Sequence, residues 1–192
     1  MGQLRFVTPT PERMTSEVIK RAYCSSLEGI PWECQSRLEN NSLVVDRPSD
    51  EAGNLNIPWV IPGHGQLVIT STSLMQRPEA YQLEVELARG TLNRLRNSIS
   101  YASLSGWEVP SSIIEKKDLA QQLFIRAATS QHMPGQAAKW AEESLTHSLQ
   151  GANDFGLQRA RFLLHSRQQQ IAKLPTLWAA RCESKQLRQR IR

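Results

Sequence analysis

The feature that most constrains the fold is a change of hydrophobic period near Pro78. Before it, apolar and polar residues alternate in short runs; after it, apolar residues recur every three or four positions, the spacing of one helix face. The stretch YQLEVELARGTLNRLRN, residues 81–97, fits both patterns. Its alternation is short, whereas the helical repeat extends from Val85 to Ala102. Because the longer pattern is the stronger signal, we expect a helix over about 82–103.

The upstream part, residues 1–77, has the character of a small all-β module. Short runs rich in β-branched and aromatic residues are separated by turn-forming clusters such as PTPE and PSDEAGN. Two prolines within residues 55–65 suit an edge strand or an extended loop. We expect antiparallel strands in a sandwich-like arrangement, at residues 3–8, 17–25, 30–38, 42–47, 55–65 and 66–75.

The downstream part, residues 78–192, predicts a segment of three to four helices packed on the β module. Good helix formers dominate there, and the apolar repeat favours helices at about 82–103, 112–130, 135–172 and from Pro175 onward. The fold class is therefore α+β.

Three local features of the helical part carry their own expectations. Gly90 lies inside the first long helix, and we expect it to allow close approach of another backbone. Ser112 and Glu115 have the spacing of a capping box. The GANDFG run at 151–156 is expected to bend or split the long helix.

The net charge of +5 is concentrated in the last third of the chain. Residues 131–192 carry 10 Lys and Arg against 4 Asp and Glu, and Arg181, Lys185, Arg188 and Arg192 line one face of the last predicted helix. Such a face fits a nucleic acid or another acidic partner. We favour instead a solvated helix face, or a surface covered by protein beyond residue 192, and so expect nucleic acid not to be the partner.

The cysteines and the N-terminal residues bear on the cellular compartment. There are three cysteines and no CxxC motif, so a disulfide framework or a structural zinc site is disfavoured. A Cys24–Cys34 bridge stays open, although we favour free buried thiols. The first residues contain no apolar signal-peptide core, and no apolar run has the length of a membrane span. We expect a cytoplasmic protein without membrane contact.

Catalytic motifs are missing from the sequence as it reads. No HExxH, GxSxG, P-loop or GxGxxG is present, so we expect no catalytic residue, no metal ligand and no cofactor. Glu84 and Glu86 are two residues apart and would face different ways on a helix; a Glu86–Arg89 ion pair and a structural role are expected. An enzyme whose site is assembled only in space stays open as a third hypothesis.

Aromatic residues give the one positive indication of a ligand. Trp32 and Trp59 fall in the β part, and His64 lies in the PGHG turn. Tryptophan rings on a β surface can stack on sugars, but they are also common in cores. We take Trp32, Trp59 and His64 as the candidate ligand-binding residues, with a core role for both tryptophans as the alternative.

The run IPWVIPGHGQLVITSTSLMQRPEAYQLEVELARGTLNRLRN, residues 57–97, resembles the N-terminal, non-catalytic region of bacterial proteins of glycoside hydrolase family 10, which are xylanase-like. The resemblance is best over about 42–100. It implies an accessory region, possibly carbohydrate-binding for a poly- or oligosaccharide, that packs on a (β/α)₈ barrel further along the chain. The catalytic glutamates would lie in that barrel, so none is assigned here. The alternative is a basic helical module that binds nucleic acid or an acidic protein partner.

Overall fold

The computed structural model describes residues 2–170, and the chain as far as Gly156 forms one compact unit. Strands come first and helices follow, which confirms the α+β class. The strands are β1 (Gly2–Val7), β2 (Tyr23–Ser25), β3 (Gln35–Glu39), β4 (Ser42–Arg47), β5 (Gly53–Ile61), β6 (Gly65–Leu74) and β7 (Tyr81–Gln82). The helices are α1 (Ser16–Lys20), α2 (Leu83–Leu104), α3 (Ser111–Thr129) and α4 (Pro134–Gln170), with a 3₁₀ turn at Pro11–Arg13.

The strands form two sheets that do not close into a barrel. The first has the order β3-β4-β1-β7, and the second has the order β2-β5-β6. All pairs are antiparallel except β1 with β7, where Phe6 pairs with Tyr81 in parallel. The inward positions of β1, Leu4 and Phe6, are fully buried. Each such side chain contributes about 1.5–3 kcal/mol relative to an exposed one.

β5 explains how two prolines fit into this region. Pro58 pairs with Val68 of β6, while β2 covers only Asn54 to Asn56 on the other side of β5. Because no strand among residues 2–170 pairs with that side of β5 beyond Asn56, a residue without an N–H is tolerated at Pro58. A register shift between Asn54 and Asn56 marks a β-bulge.

Residues 81–97, which fit both a strand and a helix pattern, are divided between a short strand and a helix. Tyr81 and Gln82 are a strand, and the helix begins at Leu83. All residues from 81 to 88 are buried. Because this segment is buried on every side, its apolar residues fit the repeat of a strand and the repeat of a helix equally well. The predicted helix over 82–103 is confirmed.

Gly90 sets the distance between α2 and β6. A Cβ atom there would collide with the Thr70 carbonyl oxygen and lie 2.5 Å from the Ser71 carbonyl carbon. The expected close approach of two backbones is confirmed. Strand residues such as Leu55 and helix residues such as Leu87 and Ala141 share one hydrophobic core.

Two predicted strands are wrong in part. Residues 17–25 begin as α1, because the Thr15 hydroxyl caps the helix by accepting from the Val18 N–H at 3.3 Å. Within 30–38, β3 starts only at Gln35, and the preceding residues form a loop with one bridge between Ser25 and Pro31.

The expected capping box and the expected split of the long helix are both wrong. α3 begins at Ser111 with Pro110 at the cap position and no side-chain cap hydrogen bond, so Ser112 and Glu115 form no capping box. α4 continues without a break through residues 151–156. The predicted last helix from Pro175, with its basic face, lies outside the described residues.

Candidate functional site

The three candidate ligand residues lie in different surroundings. Trp59 is only 2% exposed, and its ring packs in the core with the Arg13 guanidinium 5.3 Å from the ring centroid. A sugar therefore has no face of Trp59 to stack on, and its role is in the core. The reason is register, since Trp59 alternates with exposed Val60 and falls on the inward side of β5.

Trp32 and His64 are partly exposed but far apart. Trp32 packs against Gly53, where a Cβ atom would lie 2.5 Å from the ring, and the Arg47 guanidinium lies 5.7 Å from its centroid. His64 lies in the β5–β6 turn, where its N–H donates to the Ile61 carbonyl at 3.0 Å. Gly53 and Ile61 are the two ends of β5. At about 3.3 Å per residue, roughly 26 Å separate them, so Trp32 and His64 do not share a site.

The second sheet and α2 enclose a cavity of about 580 Å³ that sequence reasoning missed. We call it the hydroxyl–amide groove, because its lining is mostly serine, threonine and asparagine. The lining residues are Ser25, Leu27, Gly29, Asn54, Asn56, Thr70, Ser71, Thr72, Ser73, Gly90, Asn93 and Arg94.

Strand register and helix packing position these side chains. Ser25, Asn54 and Ser73 are Cα partners across β2, β5 and β6, so they form one row of the sheet. Asn56 is two residues from Asn54 and so lies on the same face of β5. The extra residue of the bulge lies on β6, where the three steps from Thr70 to Ser73 stand opposite the two from Asn56 to Asn54. Close packing at Gly90 brings the next turn of α2 over the sheet, and with it Asn93 and Arg94.

A chain of hydrogen bonds holds the floor of the groove. The Thr70 hydroxyl donates to Asn56 Oδ1 at 2.8 Å, and Asn56 Nδ2 donates to the Ser25 hydroxyl at 3.0 Å. The Ser71 hydroxyl accepts from the Leu55 N–H at 2.9 Å and donates to the Thr72 carbonyl at 2.7 Å. These bonds fix the orientation of each amide and hydroxyl before any ligand arrives.

Arg94 supplies the positive charge at this groove. Its Nη2 donates to the Thr70 carbonyl at 2.7 Å, which ties α2 to β6. Desolvation by the surrounding protein lowers the pKa of Arg94, which stays a cation at any physiological pH. Among the described residues that line the groove there is no carboxylate, imidazole or thiol. The arrangement therefore offers hydrogen bonds to a ligand rather than an acid, a base or a nucleophile.

Two buried carboxylates lie at the start of α2, away from this groove. Glu84 accepts hydrogen bonds from the hydroxyls of Thr8 and, at 3.2 Å, Thr10. Glu86 forms the predicted ion pair with Arg89 at 3.4 Å, although Glu86 is buried and not on the helix surface as expected. Burial raises the pKa of both carboxyl groups. The contacts of Glu84 tie α2 to the segment after β1, while the ion pair of Glu86 stays within α2. These contacts agree with a structural role.

The thiols of Cys24 and Cys34 are free. Burial, reinforced by the neighbouring Cys34, raises the pKa of Cys24 to about 12, so its thiol stays protonated and a poor nucleophile. Within residues 2–170, no cluster of three or more histidine, cysteine and acidic side chains has the arrangement of a metal site. No helix in that same range combines the length and apolar character needed to cross a membrane.

Comparisons with protein-family models, with curated proteins and with solved structures found no match for this chain. The resemblance to glycoside hydrolase family 10 therefore stays a prediction.

The groove had a weak signal in the sequence. The runs GNLN (53–56) and TSTS (70–73) place amides and hydroxyls on strands where apolar residues are usual. Sequence reasoning took 53–54 as part of a loop and 70–73 as ordinary alternation. Only the pairing of β5 with β6 brings the two runs together.

Proposed function

We propose that this chain is a non-catalytic accessory region of a glycoside hydrolase-like protein, and that the hydroxyl–amide groove binds a poly- or oligosaccharide. The groove itself carries the proposal. Sugar hydroxyls both donate and accept hydrogen bonds, and asparagine, serine and threonine side chains do the same. A preformed cavity of about 580 Å³ is of the size that holds a small ligand.

The predicted resemblance points to the same part of the molecule. Residues 57–97 contain all of β6 and the first part of α2, which supply seven of the twelve residues that line the groove. We also propose that this region packs on a catalytic barrel beyond residue 192 and that the protein is cytoplasmic.

The structure changes which residues are proposed to contact sugar. Trp59 is withdrawn because it is buried, and His64 lies at the far end of β5. Trp32 packs against Gly53, the neighbour of Asn54, and does not line the groove. In its place, Asn93 and Ser73 are exposed at the groove and free to meet a ligand.

Calorimetric titration with xylo-oligosaccharides of increasing length tests this function. We expect saturable binding that the Asn93→Ala and Ser73→Ala variants each weaken by about 5-fold or more, since each removes a hydrogen-bonding group worth about 1 kcal/mol. Asn97→Ala is the matched control, because Asn97 is exposed on α2 but does not line the groove. No heat of binding with any oligosaccharide, or equal loss in all three variants, would refute the proposal.

A second candidate function uses the arginines of α2. Arg89 and Arg96 line a neighbouring cavity of about 310 Å³, which shares Thr72 and Asn93 with the groove. Arg89 and Arg96 are seven residues apart and so share one face of α2, while Arg94 lies on the side that lines the groove. Such a surface suits a nucleic acid, and binding would weaken steeply with salt. Fluorescence anisotropy with single-stranded and duplex DNA between about 50 and 200 mM salt tests it. Salt-independent signals would exclude it.

A further inference from the structure

A second cavity, of about 690 Å³, opens at the end of the first sheet, where β1 begins and β4 ends. We call it the Arg47 cavity. Its walls include Gln3, Glu33, Gln35, Asp46 and Arg47. Gln3, Asp46 and Gln35 are Cα partners across β1, β4 and β3, so they form one row at the rim.

Arg47 is a buried cation with unused hydrogen-bond donors. The residue is 2% exposed, yet its Nε and Nη1 have no hydrogen-bond partner among the described residues. Its only hydrogen bond within that part of the chain runs from Nη2 to the Asp50 carbonyl at 3.3 Å. The Trp32 ring, 5.7 Å away, adds a cation–π contact. A buried charge is strongly unfavourable unless it is paired, so these donors call for an anion.

The neighbouring carboxylate of Asp46, in the cavity wall, is already engaged. Asp46 accepts from Gln3 Nε2 at 2.8 Å and from Arg37 Nη1. The hydrogen bond from Gln3 and the one from the Arg37 guanidinium hold the pKa of Asp46 below its ordinary value. Glu33 lines the same cavity but is exposed and makes no ion pair with Arg47 in the described part of the chain.

Gly2 creates the room for the Arg47 side chain. A Cβ atom at Gly2 would lie 2.8 Å from Arg47 Nε and would collide with the Ser49 carbonyl oxygen. Any other residue at this position would push the guanidinium away from the cavity wall. Sequence reasoning gave no indication of this, because SLVVDR reads as a strand that ends in two surface charges.

We propose that the Arg47 cavity binds a small oxyanion, a carboxylate or phosphate group, through Arg47, with the amide of Gln35 at its rim. Charge-assisted hydrogen bonds from a guanidinium to an oxyanion are about twice as strong as neutral ones. The Gln35 amide adds a donor without adding charge. Glu33 and Asp46 both line the cavity and oppose the anion by like-charge repulsion, but Arg37 already pairs with Asp46, which leaves Glu33 as the uncompensated carboxylate. This site is independent of the hydroxyl–amide groove.

Titration of the full chain with sodium phosphate tests the proposal, with sodium chloride at matched ionic strength as the reference. We expect a saturable rise of the melting temperature with phosphate, since a ligand that binds only the folded state stabilises it. Acetate in a parallel titration shows whether the site accepts carboxylates. The Nε–H resonance of Arg47 in proton–nitrogen NMR spectra is expected to shift with the same concentration dependence.

Variants separate this site from general salt effects. Arg47→Met should abolish the phosphate response, while Arg5→Met, at an exposed arginine of the same sheet, should keep it. Glu33→Gln should tighten phosphate binding several-fold. Because Glu33 is exposed, this variant still tests the proposed site if Arg47→Met fails to fold. A wild-type response equal to that with chloride, a response that survives in Arg47→Met, or unchanged affinity in Glu33→Gln would each overturn the proposal.

Discussion

In the hydroxyl–amide groove, the buried side chains of Asn56 and Ser71 find hydrogen-bond partners inside the fold. In the Arg47 cavity, a buried guanidinium keeps two donors without any such partner in the described residues. The first region is thus complete before a ligand arrives. The second gains stability only when an anion is supplied. Groove substitutions should therefore lower the free energy of unfolding of the free protein. Removal of the Arg47 charge should leave that free energy nearly unchanged or raise it.

The largest loss of stability is expected at Gly90, where the backbones of α2 and β6 are in contact. Gly90→Ala puts a methyl group against the Thr70 carbonyl and Ser71, and neither backbone atom can move without shifting β6. We expect a loss of about 2–3 kcal/mol in the free energy of unfolding, measured by urea denaturation. Ligand binding at the groove should weaken with it.

Gly156→Ala is the matched control for that substitution. Gly156 also lies within a helix, α4, but a Cβ atom there meets nothing within 4 Å. Alanine should therefore stabilise the protein by up to about 1 kcal/mol through its higher helix propensity. If both glycine variants behaved alike, close packing at Gly90 would not be what shapes the groove.

The hydrogen-bond chain of the groove is expected to show the next largest effect. Asn56→Ala leaves the Thr70 hydroxyl and the Ser25 hydroxyl without their partner. We expect a loss of about 1–3 kcal/mol in the free energy of unfolding, because buried polar groups that lose a partner are costly. Asn97→Ala, at an exposed position, should stay within about 0.5 kcal/mol of the wild type. A neutral Asn56→Ala would show that water replaces the amide and that the groove is not pre-organised.

The long helices of this fold can be predicted from the sequence, but the shortest helix cannot. α2, α3 and α4 were predicted within about two residues at the ends that the structure describes, since a long apolar repeat specifies a helix locally. α1 was missed because its signal, Thr15 capping Val18, occupies only one helical turn.

The two cavities needed information that no local pattern contains. The groove exists only when Asn54 pairs with Ser73 and when Gly90 contacts β6. The Arg47 guanidinium packs against Gly2, which lies far away in sequence and leaves space beside it. Burial of Trp59 follows from which side of β5 faces the core, and the sequence of β5 is apolar on both sides.

A pH effect tests how buried charges behave elsewhere in the molecule. The folded state raises the pKa of Glu84 and Glu86 by burial, so it binds more protons than the unfolded chain just above the ordinary carboxyl pKa. Stability from these groups is complete below the unfolded pKa and falls as the pH rises through the folded pKa. Glu84→Gln should gain on the order of 1 kcal/mol at pH 7 and flatten that fall. Parallel curves for wild type and variant in urea denaturation across pH 4 to pH 8 would contradict this assignment.

The smallest effect is expected at Arg47, and it is the most informative for the comparison. In chloride buffer, Arg47→Met should unfold within about 1 kcal/mol of the wild type or at higher denaturant, because the substitution removes an unpaired buried charge and keeps an apolar stem against Trp32. Adding phosphate should then stabilise the wild type alone. A loss of several kcal/mol in chloride buffer would mean that the Asp50 and Trp32 contacts suffice to pair the guanidinium. The Arg47 cavity would then resemble the groove, with a polar group already satisfied by the fold and no demand for an anion.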